Sequence, residues 1–198
     1  MNAAGTAPYV IVVAGANGAG KSTAAPDLLR DALEVTEFVN ADMIASGLSA
    51  FRPESVAITA GRIMLARMRQ LAAARENFAF ETTLASRSFA PWLASLKESG
   101  YHVHLLFLWL RNAELAASRV AERVRVGGHG VPAHVVRRRY EKGLRNFFQL
   151  YLPLADSWTF FDNSDAAGPR PIASGDEGTV RVLGDAESWR KLTETYHG

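Results

Sequence analysis

Residues 15–22 read Gly-Ala-Asn-Gly-Ala-Gly-Lys-Ser, a match to GxxxxGK[ST], and this octapeptide constrains the chain more than any other feature. It follows Tyr9–Ala14, a β-branched apolar run with no helical period, which reads as a buried parallel strand. A helix pattern begins at Lys21. A strand feeding a glycine loop that opens a helix lets consecutive backbone N–H groups converge on phosphate oxygens, with the positive end of the helix behind them. Gly15, Ala16, Asn17, Gly18, Ala19, Gly20, Lys21, Ser22 and Thr23 are therefore the expected ATP-binding residues. Lys21 supplies a charge to the β- and γ-phosphates, and the Ser22 hydroxyl is the expected ligand of Mg2+.

Downstream, strands are expected at 37–40, 78–82, 101–110 and 158–162, with a further short one at 179–183 and room for another within 163–178. Helices are expected at 21–33, with Pro26 in or near the first turn, and at 53–74, 89–99, 112–126, 132–150 and 185–195. Strands alternating with helices imply a mostly parallel sheet covered on both faces. The expected fold is α/β: a three-layer α/β/α sandwich of the P-loop NTPase type with a helical, Arg-rich lid. One domain spans 1–198, with a lid over about 119–145 and a C-terminal extension at 166–198.

Composition narrows the class further. Hydrophobic residues make up 48% of 198, enough for a globular core, and there is no cysteine for thiol chemistry or Cys-based zinc sites. The start lacks the pattern of a signal peptide, and no uninterrupted apolar run exceeds six residues, so a cytoplasmic protein with no membrane partner is expected. Net charge is only +2, but it is unevenly spread. Between Arg119 and Arg145 lie eight basic residues and two acids, a net +6, which leaves −4 for the rest of the chain.

A phosphate loop does not separate kinases from motor ATPases or GTPases. The most hydrophobic strand runs into Leu110-Arg111-Asn112 with no acid at its end, and there is no guanine-reading Asn-Lys-x-Asp. Both absences favour a small-molecule kinase. Two carboxylates sit at strand ends instead, Asp42 in FVNAD and Glu81 in FAFETT, where the carboxyl ends of parallel strands face the ligand crevice. Asp42, on the strand expected beside the phosphate-loop strand, is the candidate base for the acceptor hydroxyl. Glu81 either orients the acceptor or helps bind magnesium, and Thr82 and Thr83 are candidate acceptor-binding hydroxyls. Either acid could instead be a surface or capping residue, Asp42 for the turn at 43–47.

The cationic stretch is built as helix, Gly-rich turn and Pro-started helix, which suits a lid closing on a triphosphate. On the second helix the apolar stripe runs through Val136, Tyr140, Leu144, Phe147 and Tyr151. Arg137 lies beside this stripe and should need an anionic partner, whereas Arg138, Lys142 and Arg145 lie opposite. Lys142 and Arg145 read best as a solvated face. His129 suits the lid or a plain loop, and Asp162, Asn163 and Ser164 suit either the adenine or a simple turn.

Taken together, GANGAGKS, FVNAD, FAFETT, RVAERVRVGGHGVP, RRRYEKGLRNF and FFDNS resemble the zeta-toxin-like P-loop kinases, above all the small stand-alone members, over about three quarters of the chain. The resemblance implies an ATP-dependent kinase that phosphorylates the sugar of UDP-N-acetylglucosamine, opposed by a small antitoxin that blocks the nucleotide site. It assigns the base to Asp42, phosphate contact to Lys21 and substrate contact to Glu81. It also implies two lid arginines. Arg125 and Arg138 fit the spacing best, with Arg123 and Arg137 as rivals. The expected ligands are ATP, Mg2+ and a small-molecule acceptor. The alternatives are a nucleotide-dependent regulatory ATPase and, last, a nucleic-acid binder, which the few aromatics interleaved on the basic face disfavour.

Overall fold

A computed structural model describes residues 7–31, 35–128, 130–176 and 178–197. Seven strands form one sheet in the order β2-β3-β1-β4-β5-β6-β7. The strands are β1 (Tyr9–Ala14), β2 (Glu37–Val39), β3 (Phe78–Thr82), β4 (His102–Trp109), β5 (Ser157–Asp162), β6 (Arg170–Asp176) and β7 (Thr179–Val182). The first five are parallel, and β6 and β7 add antiparallel. Helices α1 (Lys21–Pro26), α2 (Ala41–Leu48), α3 (Ala57–Ala73), α4 (Ala90–Glu98), α5 (Ala113–Arg125), α6 (Ala133–Asn146) and α7 (Ala186–Tyr196) complete the chain. Among the described residues no helix is long and apolar enough to cross a membrane.

Strand β1 is the centre of the molecule because nearly every side chain in it is apolar and buried. Its right-hand neighbour is β4 and its left-hand neighbour is β3, so β2 is pushed to the outer edge. This corrects the expectation that the Asp42 strand lies next to the phosphate-loop strand: Glu81, paired across from Val13, holds that place. The chain winds one way from β1 and then the other, which puts the switch point, and hence the crevice, above the carboxyl end of β1.

Pro26 ends α1 instead of sitting in its first turn. It cannot donate an N–H and its ring crowds the preceding turn, so the chain widens into a π-helical turn at Asp27–Asp31. The helix expected from residue 53 begins as a 3₁₀ turn, Pro53–Val56, before α3. Helix α6 buries the expected stripe of Val136, Tyr140 and Leu144, then continues as a π-helical turn, Phe147–Tyr151.

The tail is part of the fold. β6 is longer than the short strand expected there, and α7 lays Trp189 parallel to Trp158 at 5.3 Å and edge-on to Phe160 at 5.4 Å. The ring plane of Phe160 in turn stacks on Phe107 at 5.1 Å. The C-terminal helix therefore covers an aromatic cluster of Phe148, Trp158 and Phe160.

Candidate functional site

The phosphate loop leaves β1 and folds against α5. Gly18 has φ 83°, and a Cβ there would stand 2.6 Å from the Ala116 carbonyl, so only glycine satisfies both the turn and the packing. Asn163 Nδ2 donates to the Ala19 carbonyl at 2.8 Å. Arg119 then ties that region to α5 by donating to the carbonyls of Asn163 and Ser164, both at 2.8 Å. Sequence reasoning placed Asn163 and Ser164 near the adenine or in a turn; here they brace the loop from behind. Arg119 was visible only as one charge in a basic run.

Lys21 Nζ donates to the Ala16 carbonyl at 2.9 Å and faces Glu81 at 3.4 Å, and only 5% of the lysine and 12% of the glutamate side chain is exposed. Burial pulls the Lys21 ammonium below its ordinary range, and Glu81 works against that shift. The Ser22 hydroxyl donates to Glu81 Oε2 at 2.7 Å. Asn40 Nδ2 donates to the same oxygen at 2.7 Å, while Asn40 Oδ1 accepts the N–H groups of Asp42 and Met43 as the cap of α2. One buried amide thus fixes both the acidic strand end and the helix start carrying Asp42. The N-cap pattern in FVNAD was the signal that could have singled out Asn40.

Two cavities meet at these residues. The smaller, about 200 Å3, is lined by the phosphate loop, Ser22, Thr23, Arg119 and Arg123. The larger, about 390 Å3, is lined by Thr82, Thr83, Ala85, Ser86, Arg138, Arg139 and Lys142. Asn17, Lys21, Asp42 and Glu81 border both. The larger cavity is strongly cationic along its α6 wall. Among the described residues none of Arg138, Arg139 and Lys142 is ion-paired, although Arg139 donates to Asn17 Oδ1 at 3.2 Å.

The other arginines of the basic stretch stand elsewhere. Arg137 is 48% exposed and makes a double hydrogen bond to Glu114 on α5, so its anionic partner is a structural one. Arg125 pairs with Glu122 one turn back on the same helix. The apolar stripe of α6 faces the sheet and α5, and the cavity lies on its flank, which is why Arg138 and Lys142 reach the cavity and Arg137 does not. Lys142 and Arg145 are both exposed as expected, and Lys142 in addition lines the open cavity. His129 lies outside the described residues.

Beyond Glu81 the chain turns sharply. Leu84 is fully buried yet has φ 53°, a conformation that costs a non-glycine residue on the order of 1 kcal/mol. The Thr82 and Thr83 hydroxyls accept the N–H groups of Leu84 and Ala85 at 3.1 and 3.4 Å, which holds both side chains at the cavity rim.

The oxygen donors gathered here suit hard cations and phosphate counter-ions: one hydroxyl and two carboxylates beside a buried ammonium. Ser22 and Glu81 fit a magnesium ion in their chemistry, since both present oxygen and lie within hydrogen-bond reach of each other.

A family model described as AAA domain matches residues 10–150. An uncharacterized protein of Haemophilus influenzae is 30% identical over 130 residues, covering 66% of this chain and 91% of that protein. The fold recurs in the crystal structure of AvrRxo1-ORF1:-ORF2 with ATP (TM-score 0.73, 19% identity), which covers 96% of this chain; the chain spans 64% of the length of that relative. It recurs as well in the PezAT chromosomal toxin–antitoxin system of Streptococcus pneumoniae (TM-score 0.67, 17% identity, 99% of this chain and 81% of that one). The P-loop α/β/α sandwich expected from the motifs is thus the fold observed.

Proposed function

The chain belongs to the AAA-domain family of P-loop proteins, and from that premise we propose that it is an ATP-dependent kinase acting on a hydroxyl of a small anionic acceptor, of the UDP-N-acetylglucosamine type. The observation that carries the proposal is the sharing of Asp42, Lys21 and Glu81 between a phosphate-loop cavity and a separate, cationic cavity. A nucleotide hydrolase needs only the first. The second offers room for an acceptor, and its unpaired Arg138 and Lys142 suit the diphosphate of a nucleotide sugar.

In this scheme the phosphate loop and Lys21 hold the triphosphate in the smaller cavity, with Arg123 on its far side. The acceptor hydroxyl sits in the larger cavity beside Asp42. Its oxygen bonds to the γ-phosphorus as the bond to the β–γ bridging oxygen breaks. Its proton passes to the Asp42 carboxylate, and ADP leaves carrying the bridging oxygen. Lys21 and Arg138 stabilise the charge on the transferring oxygens, while Thr82 and Thr83 orient the acceptor. A magnesium ion held by Ser22, with Glu81 in reach, would neutralise phosphate charge. The roles considered for Arg125 and Arg137 find no support in their placement.

The similarity to components of two-protein systems extends the proposal to an antitoxin-like partner covering the cleft. Acceptor-stimulated ATP turnover tests the kinase reading: with Mg2+ present, UDP-N-acetylglucosamine should raise ADP release at least tenfold over the rate without it. A rate indifferent to every nucleotide sugar would favour a regulatory ATPase.

A further inference from the structure

Helix α6 does more than present cations. Its C-terminal part grips the loop that follows Glu81. Gly143 abuts that loop so closely that a Cβ there would stand 2.5 Å from the Thr83 carbonyl. Asn146 Nδ2 donates to the Leu84 carbonyl at 2.7 Å. One turn on, the buried Tyr151 hydroxyl donates to the Ser86 carbonyl at 2.7 Å. Two carbonyls within three residues, Leu84 and Ser86, are therefore received by side chains of α6 and the π-helical turn that continues it, and a third, Thr83, packs against Gly143. Leu84 itself is buried and at positive φ, and its N–H is held by Thr82.

We propose that Asn146 is a positioning residue for the acceptor cavity, acting through Leu84 to hold Thr82 and Thr83 at a fixed distance from Arg138 and Lys142. A residue at positive φ persists only where its surroundings over-determine it. The Leu84 carbonyl has one side-chain donor, and that donor comes from the helix bearing the cations. Without it the turn can relax toward ordinary backbone geometry, which carries the two threonine hydroxyls away from the cavity rim. The acceptor wall and the cationic wall thus form one unit. Asn146 itself touches neither cavity.

The inference rests on the kinase reading, and its test separates the two. Asn146→Ala is compared with Asn146→Gln, which keeps an amide donor, and with the near-isosteric Asn146→Asp, which removes it. With UDP-N-acetylglucosamine as acceptor, Ala and Asp should raise the acceptor KM about five- to tenfold, the loss set by one buried hydrogen bond, while the ATP Kd stays within twofold. Gln should recover most of that loss. Amide hydrogen exchange at Leu84 and Ala85 should accelerate in Ala and Asp but not in Gln. A lowered melting temperature with unchanged acceptor KM and unchanged exchange would overturn the proposal. If wild type phosphorylates no acceptor, the kinase reading fails, and exchange alone then decides the pinning: equal protection in wild type and Asn146→Asp refutes it.

Discussion

Lys21 Nζ and the Glu81 carboxylate stand 3.4 Å apart at the floor of the cleft, with 5% and 12% of their side chains exposed. This pair, from the first turn of α1 and the end of β3, joins the phosphate loop to the larger cavity.

Replacing Lys21 by Met should therefore act twice. ATP-dependent turnover should vanish, and folding stability should fall by about 1–3 kcal/mol, because the half-buried Glu81 keeps only Ser22 and Asn40 as partners. Equilibrium denaturation beside ATP titration reads both. Full stability in the variant would mean that the pair contributes nothing to the fold.

Asp42→Ala should lower phosphoryl transfer by about 10²- to 10⁴-fold, the usual range for a lost general base, while ATP still binds. Asp42 sits in the first turn of α2 with its N–H held by Asn40, so its removal leaves the local structure intact. A variant retaining full transfer would remove the base assignment.

The α6 arginines should divide by neighbour. Arg137→Ala loses an exposed ion pair with Glu114 and should change turnover less than threefold, with little effect on stability. Arg138→Ala and Lys142→Ala should each raise the acceptor KM about tenfold, since each removes an unpaired cation from the larger cavity, and Arg138→Ala should lower kcat as well, since it also meets the transferring oxygens. Steady-state kinetics across the three variants settles the order, and the opposite ranking would restore Arg137 as the phosphate reader.

At the far end of the sheet the Ser157 hydroxyl bridges His102 Nε2 at 2.8 Å and His104 Nδ1 at 2.6 Å. Burial, aided by the charge of His102, lowers the His104 pKa to about 4. The unfolded chain takes up that proton near pH 6.5 and the folded chain does not, so stability is full above pH 6.5 and declines as pH falls toward 4. The loss should approach about 3 kcal/mol, and His104→Gln should flatten that part of the profile. An unchanged slope in urea titrations at pH 7, 5.5 and 4.5 would show that His104 does not titrate this way.

Trp189→Ala should cost about 3–5 kcal/mol, as for a large aromatic removed from a core, because Trp189 packs on Trp158, Phe160 and Phe148. Thermal melting would read it, and a loss below about 1 kcal/mol would mean that α7 is an appendage.

The sequence made the phosphate loop, the parallel strands and the buried stripe of α6 legible, because each is carried by a local period or a fixed spacing. Strand order was not. Nothing local says that β3 and not β2 lies beside β1, and so the motif alone does not place Glu81 next to the phosphate-loop strand. The α6 arginines show a second limit: a helical wheel tells which side faces the core, but not whether a cavity or a neighbouring helix lies on the flank. Glu114, the residue that takes Arg137 out of the site, is 23 positions away and carries no mark of it. The grip of Asn146 on Leu84 spans 62 positions and was equally invisible.

Kinase chemistry in the shared cleft is tested most directly by incubating the protein with ATP, Mg2+ and UDP-N-acetylglucosamine, then examining the sugar nucleotide by mass spectrometry beside the Asp42→Ala variant. The predicted result is one added phosphoryl group on the acceptor in wild type and none in the variant. ATP converted to ADP and free phosphate, with this acceptor and a panel of other nucleotide sugars and small alcohols all unmodified, would contradict it.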